Sequence, residues 1–164
     1  MSPKERLERR LTNAREMTEG LLKTFRKPDE WVHQVHPRAN HPLWFVGHMA
    51  TTDNFFISLV APDKVRDLAA YREKFGMGSQ PSSNPADYPP VEDVLATMRE
   101  RRQTLLEALR GLKDEDLDRQ TPPGTPEFIP DVASIFEMAI WHEGFHAGQM
   151  SVARRALGAA PLFA

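Results

Sequence analysis

The chain has 164 residues, a length typical of a single domain, and we predict one domain over residues 1–164. It contains no cysteine, which excludes disulfides, thiolate zinc sites, iron–sulfur clusters and a cysteine nucleophile. The formal net charge is −2, from 21 basic and 23 acidic side chains, so no basic surplus favours nucleic acid as a partner.

The sequence has no signal for export or membrane insertion. Its first ten residues, MSPKERLERR, are charged and lack the apolar run of a signal peptide. No stretch approaches the roughly 18 apolar residues of a membrane span. We therefore expect a cytoplasmic protein without a membrane partner. The basic cluster of Arg99, Arg101 and Arg102 is diluted by Glu100, and we expect it to form a solvated helix face.

Apolar residues recur at intervals of three and four in four segments, the pattern of amphipathic α-helices. The predicted helices span about residues 3–26, 42–60, 91–112 and 131–157. A capping box of Ser2 and Glu5 starts the first helix, whose buried stripe should include Met17. Asn40 is the predicted N-cap of the second helix. That helix is apolar on more than one face and should be the most buried.

The connecting segments predict little further regular structure. A short helix is expected near residues 63–74, and single helical turns near 29–35 and 114–117. The segment 75–90 is rich in Gly, Pro and Ser and predicts either a crossover loop or a lid over a site. No segment alternates with the period of a strand. The predicted fold class is therefore all-α, a four-helix bundle with long crossover loops.

Two histidines of the last predicted helix share one face. His142 and His146 are four residues apart, about one turn and ~6 Å of rise, so both imidazoles point the same way. This is the geometry of two ligands to one metal ion. His48, beside Gly47 on the second predicted helix, is the best candidate for a third ligand, and Gly47 would allow another helix or a ligand to approach. Without a metal ion, three converging histidines would need a buried polar network.

The string His142-Glu143-x-x-His146 is also the signature of zinc metalloproteases, with the glutamate as general base. Those enzymes take a third ligand downstream, but no histidine or acidic residue follows His146 here. Gln149 and Val152 occupy the positions where a metzincin has glycine and histidine. We therefore do not expect a protease, and any third ligand must lie upstream.

Three polar residues are candidates for supporting roles beside the ligands. Gln149 is three residues past His146 and should share its face, whereas Asp53 is five past His48 and shares that face only loosely. Both are candidate hydrogen-bond partners of the ligands. Glu143 is a candidate general base, and the alternative is an ordinary helix-surface carboxylate.

Other histidines and tryptophans are expected to be structural. His33, His36 and His41 cluster before the second predicted helix, where a loop or capping role is favoured over a second metal site. Trp44 and Trp141 are expected to pack in the core rather than stack on a ligand.

Taken together, these motifs resemble the DinB/YfiT-like superfamily. The resemblance rests on Gly47-His48, on His142-x-x-x-His146-Ala-Gly-Gln149 and on the ending Arg154-Arg155-Ala156-Leu157-Gly158…Pro161-Leu162-Phe163. The strings HPLW, YREKFG and DEDLDR extend it over nearly the whole chain. The resemblance implies a four-helix bundle that binds one nickel, zinc, iron or manganese ion. The ligands it implies are His48, His142 and His146.

The resemblance also implies two kinds of chemistry. Some members are thiol-S-transferases that use low-molecular-weight thiols such as mycothiol or bacillithiol, and others are taken to be metal-dependent hydrolases. Three neutral imidazoles leave the charge of the ion intact and leave coordination positions open for a small-molecule substrate. Two alternatives stand beside this hypothesis: a non-catalytic metal-binding or stress-associated protein, and an interaction protein with merely buried histidines. A homodimer is a further hypothesis.

Overall fold

The structure, a computed structural model, describes residues 1–162, so Phe163 of the C-terminal motif lies outside the described residues. Within residues 1–162 it contains six α-helices, three short 3-10 helices and no strand, which confirms the all-α class. The α-helices are α1 (Pro3–Leu22), α2 (Pro28–Trp31), α3 (Pro42–Val60), α4 (Ala69–Phe75), α5 (Val91–Gly111) and α6 (Val132–Ala156). Among these described helices, none is both long and apolar enough to cross a membrane.

The predicted N-terminal cap of α1 is present, whereas the N-cap predicted for α3 is wrong by one residue. The Ser2 hydroxyl accepts a 3.3 Å hydrogen bond from the Glu5 amide, and the Glu5 carboxylate accepts one of 2.8 Å from the Ser2 amide. This confirms the capping box at α1. The N-cap of α3 is His41 rather than Asn40, because His41 Nδ1 accepts the Trp44 amide at 3.0 Å. The capping role predicted for this histidine is thereby confirmed.

Two predicted helix boundaries are wrong. The first helix ends at Leu22 rather than near residue 26, although Phe25 beyond it is still buried. The helix predicted near residues 63–74 is instead a 3-10 helix, Pro62–Lys64, followed by the separate α4. Between these two, the Asn54 side chain bonds the backbone amide and carbonyl of Arg66 at 3.0 and 2.9 Å. This pairing satisfies the backbone of Arg66 outside a helix.

Helix α3 is the most buried of the four long helices, as predicted. It packs against α4, α5 and α6, while α1 packs against α5 and α6. Thirteen of its 19 residues are buried. The apolar core divides into two clusters along the helices, one around Phe45 and Phe75 and the other around Leu109 and Phe136.

One charged residue from each of the four long helices joins a buried ionic network. The Arg15 guanidinium lies 2.6 Å from the Glu143 carboxylate and 3.2 Å from that of Asp53. The Arg102 guanidinium lies 2.9 Å from Asp53 and 2.7 Å from Glu143. All four residues are buried. The two positive and two negative groups balance, so each charge has the partners that burial requires.

The expectations for the inner face of α1 and for the arginine cluster of α5 are both wrong. The inward stripe of α1 passes through Arg15 and Thr18, so Met17 faces outward and is 51% exposed. On α5, Arg101 and Arg102 are buried rather than part of a solvated face. In both helices, the arginines occupy core positions because partners on neighbouring helices satisfy them.

The segment 75–90 is tied to the start of α3 by side-chain hydrogen bonds. The Trp44 indole donates to the Ser79 hydroxyl at 2.8 Å. The Tyr88 hydroxyl lies 3.1 Å from His41 Nε2 and accepts the Ser82 amide at 2.7 Å. These contacts position the segment beside the site described next.

Candidate metal centre

Helices α3 and α6 bring three histidine rings together. The ring centroids of His142 and His146, one turn apart on α6, are separated by 4.6 Å. His48 of α3 lies 5.0 Å from the ring of His142 and 4.9 Å from that of His146. One ring nitrogen from each histidine lies within 4.8 Å of the other two. The structure therefore places all three predicted ligands in one cluster.

Two of these rings are oriented through their Nδ1 atoms. His48 Nδ1 lies 2.8 Å from the Phe75 carbonyl, which can only accept, so this nitrogen donates. His146 Nδ1 lies 3.1 Å from Gln149 Oε1, which also accepts the Asn40 amide group at 3.2 Å. Both histidines thus leave Nε2 with its lone pair free. Gln149 therefore lies beside His146, and its supporting role toward a metal ligand stays a prediction.

The spacing of the nitrogen atoms fits a metal ion. The Nε2 atoms of His48 and His142 are 3.2 Å apart. Two ligands about 2.0–2.1 Å from a tetrahedral zinc ion lie about 3.3–3.4 Å apart. Within residues 1–162, no carboxylate joins the three histidines in the cluster. The donor set is therefore three imidazoles, which suits zinc, nickel and iron.

The environment keeps the three imidazoles neutral. Burial lowers the pKa of His48 to about 4, and the Phe75 carbonyl opposes this shift only in part. Burial, followed by the neighbouring His146 and His48, lowers the pKa of His142 to about 3. Burial also lowers the pKa of His146. At neutral pH all three rings are uncharged and can coordinate an ion without first losing a proton.

Gly47 creates the close approach that orients His48. A Cβ atom at this position would lie 2.2 Å from Cγ of Phe75, so the ring of Phe75 occupies the space that any side chain would need. The close approach expected from Gly47 is confirmed, and its partner is α4. On the other side of His48, the Trp44 ring stacks on the imidazole at 4.4 Å with an angle of 17°.

The three histidines line a cavity of about 1020 Å³. Its other walls come from α3, α4 and the segment after it, the loop before α6 and α6 itself. Trp141 lines this cavity and is 60% exposed, so the expectation that it packs in the core is wrong. Trp44 is buried as expected and also lines the cavity.

The two predicted acidic site residues lie in the ionic network rather than among the histidines. Asp53 bonds Arg15 and Arg102, so its predicted support of a ligand is not found. Glu143 contacts the same two arginines and does not line the cavity. Its role as a general base stays a prediction, which these contacts do not favour.

His33 and His36 are not part of the cluster, and within the described residues no second group of three metal-ligating side chains is found. His36 is exposed, and its Nδ1 lies 2.7 Å from the Pro37 carbonyl. These two histidines therefore fit the loop role expected of them.

The fold and the site together define an all-helical protein with a three-histidine candidate metal centre. The family model of the DinB superfamily matches residues 10–150, a range that contains all three histidines and Gln149. The chain belongs to the DinB superfamily, which confirms the resemblance read from its motifs. A comparison with curated proteins gives no match.

Proposed function

We propose that this chain is a metal-dependent enzyme that acts on a small molecule, of the thiol-S-transferase or hydrolase type. The observation that carries the proposal is the convergence of His48, His142 and His146 on one wall of a large cavity, with no fourth histidine, aspartate or glutamate in the cluster within residues 1–162. Structural zinc sites are usually closed by four protein ligands, whereas catalytic sites keep a position open. The donor set thus favours a reactive ion over a structural one.

The ion, nickel, zinc, iron or manganese, would act as a Lewis acid that ionises a bound thiol or water. The protein supplies three oriented imidazoles for it, two of them fixed by Phe75 and Gln149. The cavity walls would hold the substrate against the site and exclude bulk water. Because the chain has no cysteine, any thiol in the reaction would come from a low-molecular-weight cofactor.

Metal content tests the first part of the proposal. The wild-type protein should contain about one ion per chain by elemental mass spectrometry, and His142→Ala should contain almost none. His36→Ala is the matched control, because it removes an exposed histidine outside the cluster. Wild-type protein that stays metal-free and melts at the same temperature with added nickel, zinc or manganese would contradict the proposal.

Activity tests the second part and separates it from the alternative of a non-catalytic metal-binding protein. We expect the metal-loaded wild type to conjugate a low-molecular-weight thiol to an electrophile such as a chlorobimane, or to hydrolyse members of an ester panel. His142→Ala should abolish the turnover and His36→Ala should not. Bound metal without turnover in either assay would favour the non-catalytic alternative.

We further propose that the four long helices form a single DinB-type four-helix bundle over residues 1–164. The pairing of α1 with α5 and α6, and of α3 with the same two helices, supports this arrangement. A cytoplasmic location and a homodimer are also proposed. The exposed Phe145 and Val152 on α6 support the homodimer, because they are apolar and face outward. Sedimentation equilibrium tests that state directly.

A further inference from the structure

Large apolar side chains are exposed around the mouth of the cavity. Phe128 is 65% exposed and Met77 is 97% exposed, and Phe55 and Trp141 are exposed as well. These four residues come from four separate parts of the chain, yet all of them line the same cavity. Exposed apolar residues that gather around one concave surface are typical of a ligand site. They favour a ligand with an apolar body.

In the part of the chain that the structure describes, the cavity lining carries positive charge and no negative charge. Among the described residues that line the cavity, Arg72 of α4 is the one arginine or lysine, and no aspartate or glutamate lines it. Arg72 is exposed, and within residues 1–162 its guanidinium forms no ion pair or hydrogen bond with another residue. A divalent ion on three neutral imidazoles would add uncompensated positive charge. The nearby acids Asp53 and Glu143 do not offset it, because two arginines already neutralise them.

We propose that the cavity selects small molecules that combine an apolar body with an anionic group, and that Arg72 binds the anion. The inference rests on the proposed function only in calling this molecule the substrate. The apolar walls strengthen the attraction, because the effective dielectric constant beside them is lower than in water. The guanidinium suits the role because its fork of donors matches a carboxylate, sulfonate or phosphate group. Arg72 is exposed, so its donors bond water in the free protein and would exchange that water for the anion when the ligand binds.

A pair of fluorescent probes of similar shape and different charge tests this inference. Anilinonaphthalene sulfonate has an apolar ring system with an anionic sulfonate group, and phenylnaphthylamine is its neutral counterpart. Each probe is titrated into the full-length protein, both metal-loaded and after treatment with a chelator. We expect the wild type to bind the anion more tightly, and Arg72→Gln to weaken that binding by about tenfold while leaving the neutral probe unchanged. Arg72→Lys should recover part of the loss.

Two further variants serve as controls. Arg10→Gln removes an exposed arginine outside the cavity and should change neither affinity. Trp141→Ala should weaken both probes, because it removes part of the apolar wall. The inference is overturned if the wild type binds neither probe, if Arg72→Gln weakens both equally or neither, or if Arg10→Gln has the same effect.

The readout is independent of turnover, so the two proposals fail separately. Wild-type protein that holds about one ion per chain but does not prefer the anionic probe overturns the inference alone. Anion binding that depends on Arg72 in a protein that holds no metal overturns the proposed metalloenzyme alone.

Discussion

Replacing Gly47 by alanine tests whether the close approach of α4 to α3 sets up the metal site. The new Cβ would lie 2.2, 2.4 and 2.5 Å from three atoms of the Phe75 ring. That ring is fully buried in the core, so it cannot turn into solvent. The end of α4 must therefore move away from α3. The carbonyl of the same residue accepts the His48 Nδ1 hydrogen bond, so the ligand loses its orientation when α4 moves.

The size of the effect follows from two opposing contributions. Overpacking of this severity costs about 3 kcal/mol, while alanine in place of glycine within a helix returns about 1 kcal/mol. The net loss of about 2 kcal/mol should lower the melting temperature by about 4–8 °C in a chain of this length. Loss of the carbonyl that orients a metal-ligating histidine should weaken zinc binding by about 10- to 100-fold.

The assay is thermal unfolding in chelator, followed by zinc titration against a chromophoric competitor. Gly20→Ala is the matched control, because it also lies within a long helix but a Cβ there meets nothing within 4 Å. Gly20→Ala should therefore be as stable as the wild type or more stable, with unchanged zinc affinity. A Gly47→Ala protein that melts and binds zinc like the wild type would refute the reasoning.

Three further outcomes are expected. Glu143→Gln leaves its two buried arginine partners with uncompensated charge and should cost about 3 kcal/mol or more of unfolding free energy in urea titrations; a loss below about 1 kcal/mol would contradict the network. Gln149→Ala should weaken zinc binding by about tenfold or more, because the His146 ring loses its acceptor, and unchanged affinity would argue against that role. Burial lowers the pKa of His41 to about 4, so the unfolded chain binds a proton there below about pH 6.5 and the folded chain does not. The free energy of unfolding is therefore not reduced by this group above about pH 6.5, and it is about 2 kcal/mol lower at about pH 5. Metal-free His41→Asn, which retains a capping side chain, should lack that part of the pH dependence in urea titrations at a series of pH values; an unchanged slope would refute the assignment.

The sequence was sufficient to predict the four long helices and to place His142 and His146 together, because both depend on local periodicity. Apolar spacing located the four long helices, and the four-residue interval placed His142 and His146 on one face. His48 could be joined to them only because three histidines on apolar faces need a shared partner. The distance between His48 and His142 depends on how α3 and α6 pack, which no local pattern specifies.

The buried ionic network could not be predicted in the same way. Arg15 lies on the inner face of α1, four residues past the buried Leu11, and this spacing was the signal available in the sequence. A polar residue on such a face is buried only if partners from other helices reach it. Those partners lie on α3, α5 and α6, far away in sequence. Glu143 follows one predicted ligand and precedes another in the sequence, so its position there indicates a site residue, whereas its carboxylate faces the network.

The direction of the Glu143 side chain bears on which chemistry the site supports. Successive helical residues are rotated by about 100°, so a residue next to a ligand on α6 faces elsewhere. Among the described residues, the cavity lining offers no carboxylate to take a proton from water, as the glutamate of a zinc metalloprotease does. A bound thiol would need no such base, because its pKa is far lower than that of water and a metal ion held by the three histidines would ionise it. The lining of this cavity therefore argues against the general-base mechanism of zinc metalloproteases, whereas thiol transfer and hydrolysis by a metal-bound hydroxide both fit three neutral imidazoles.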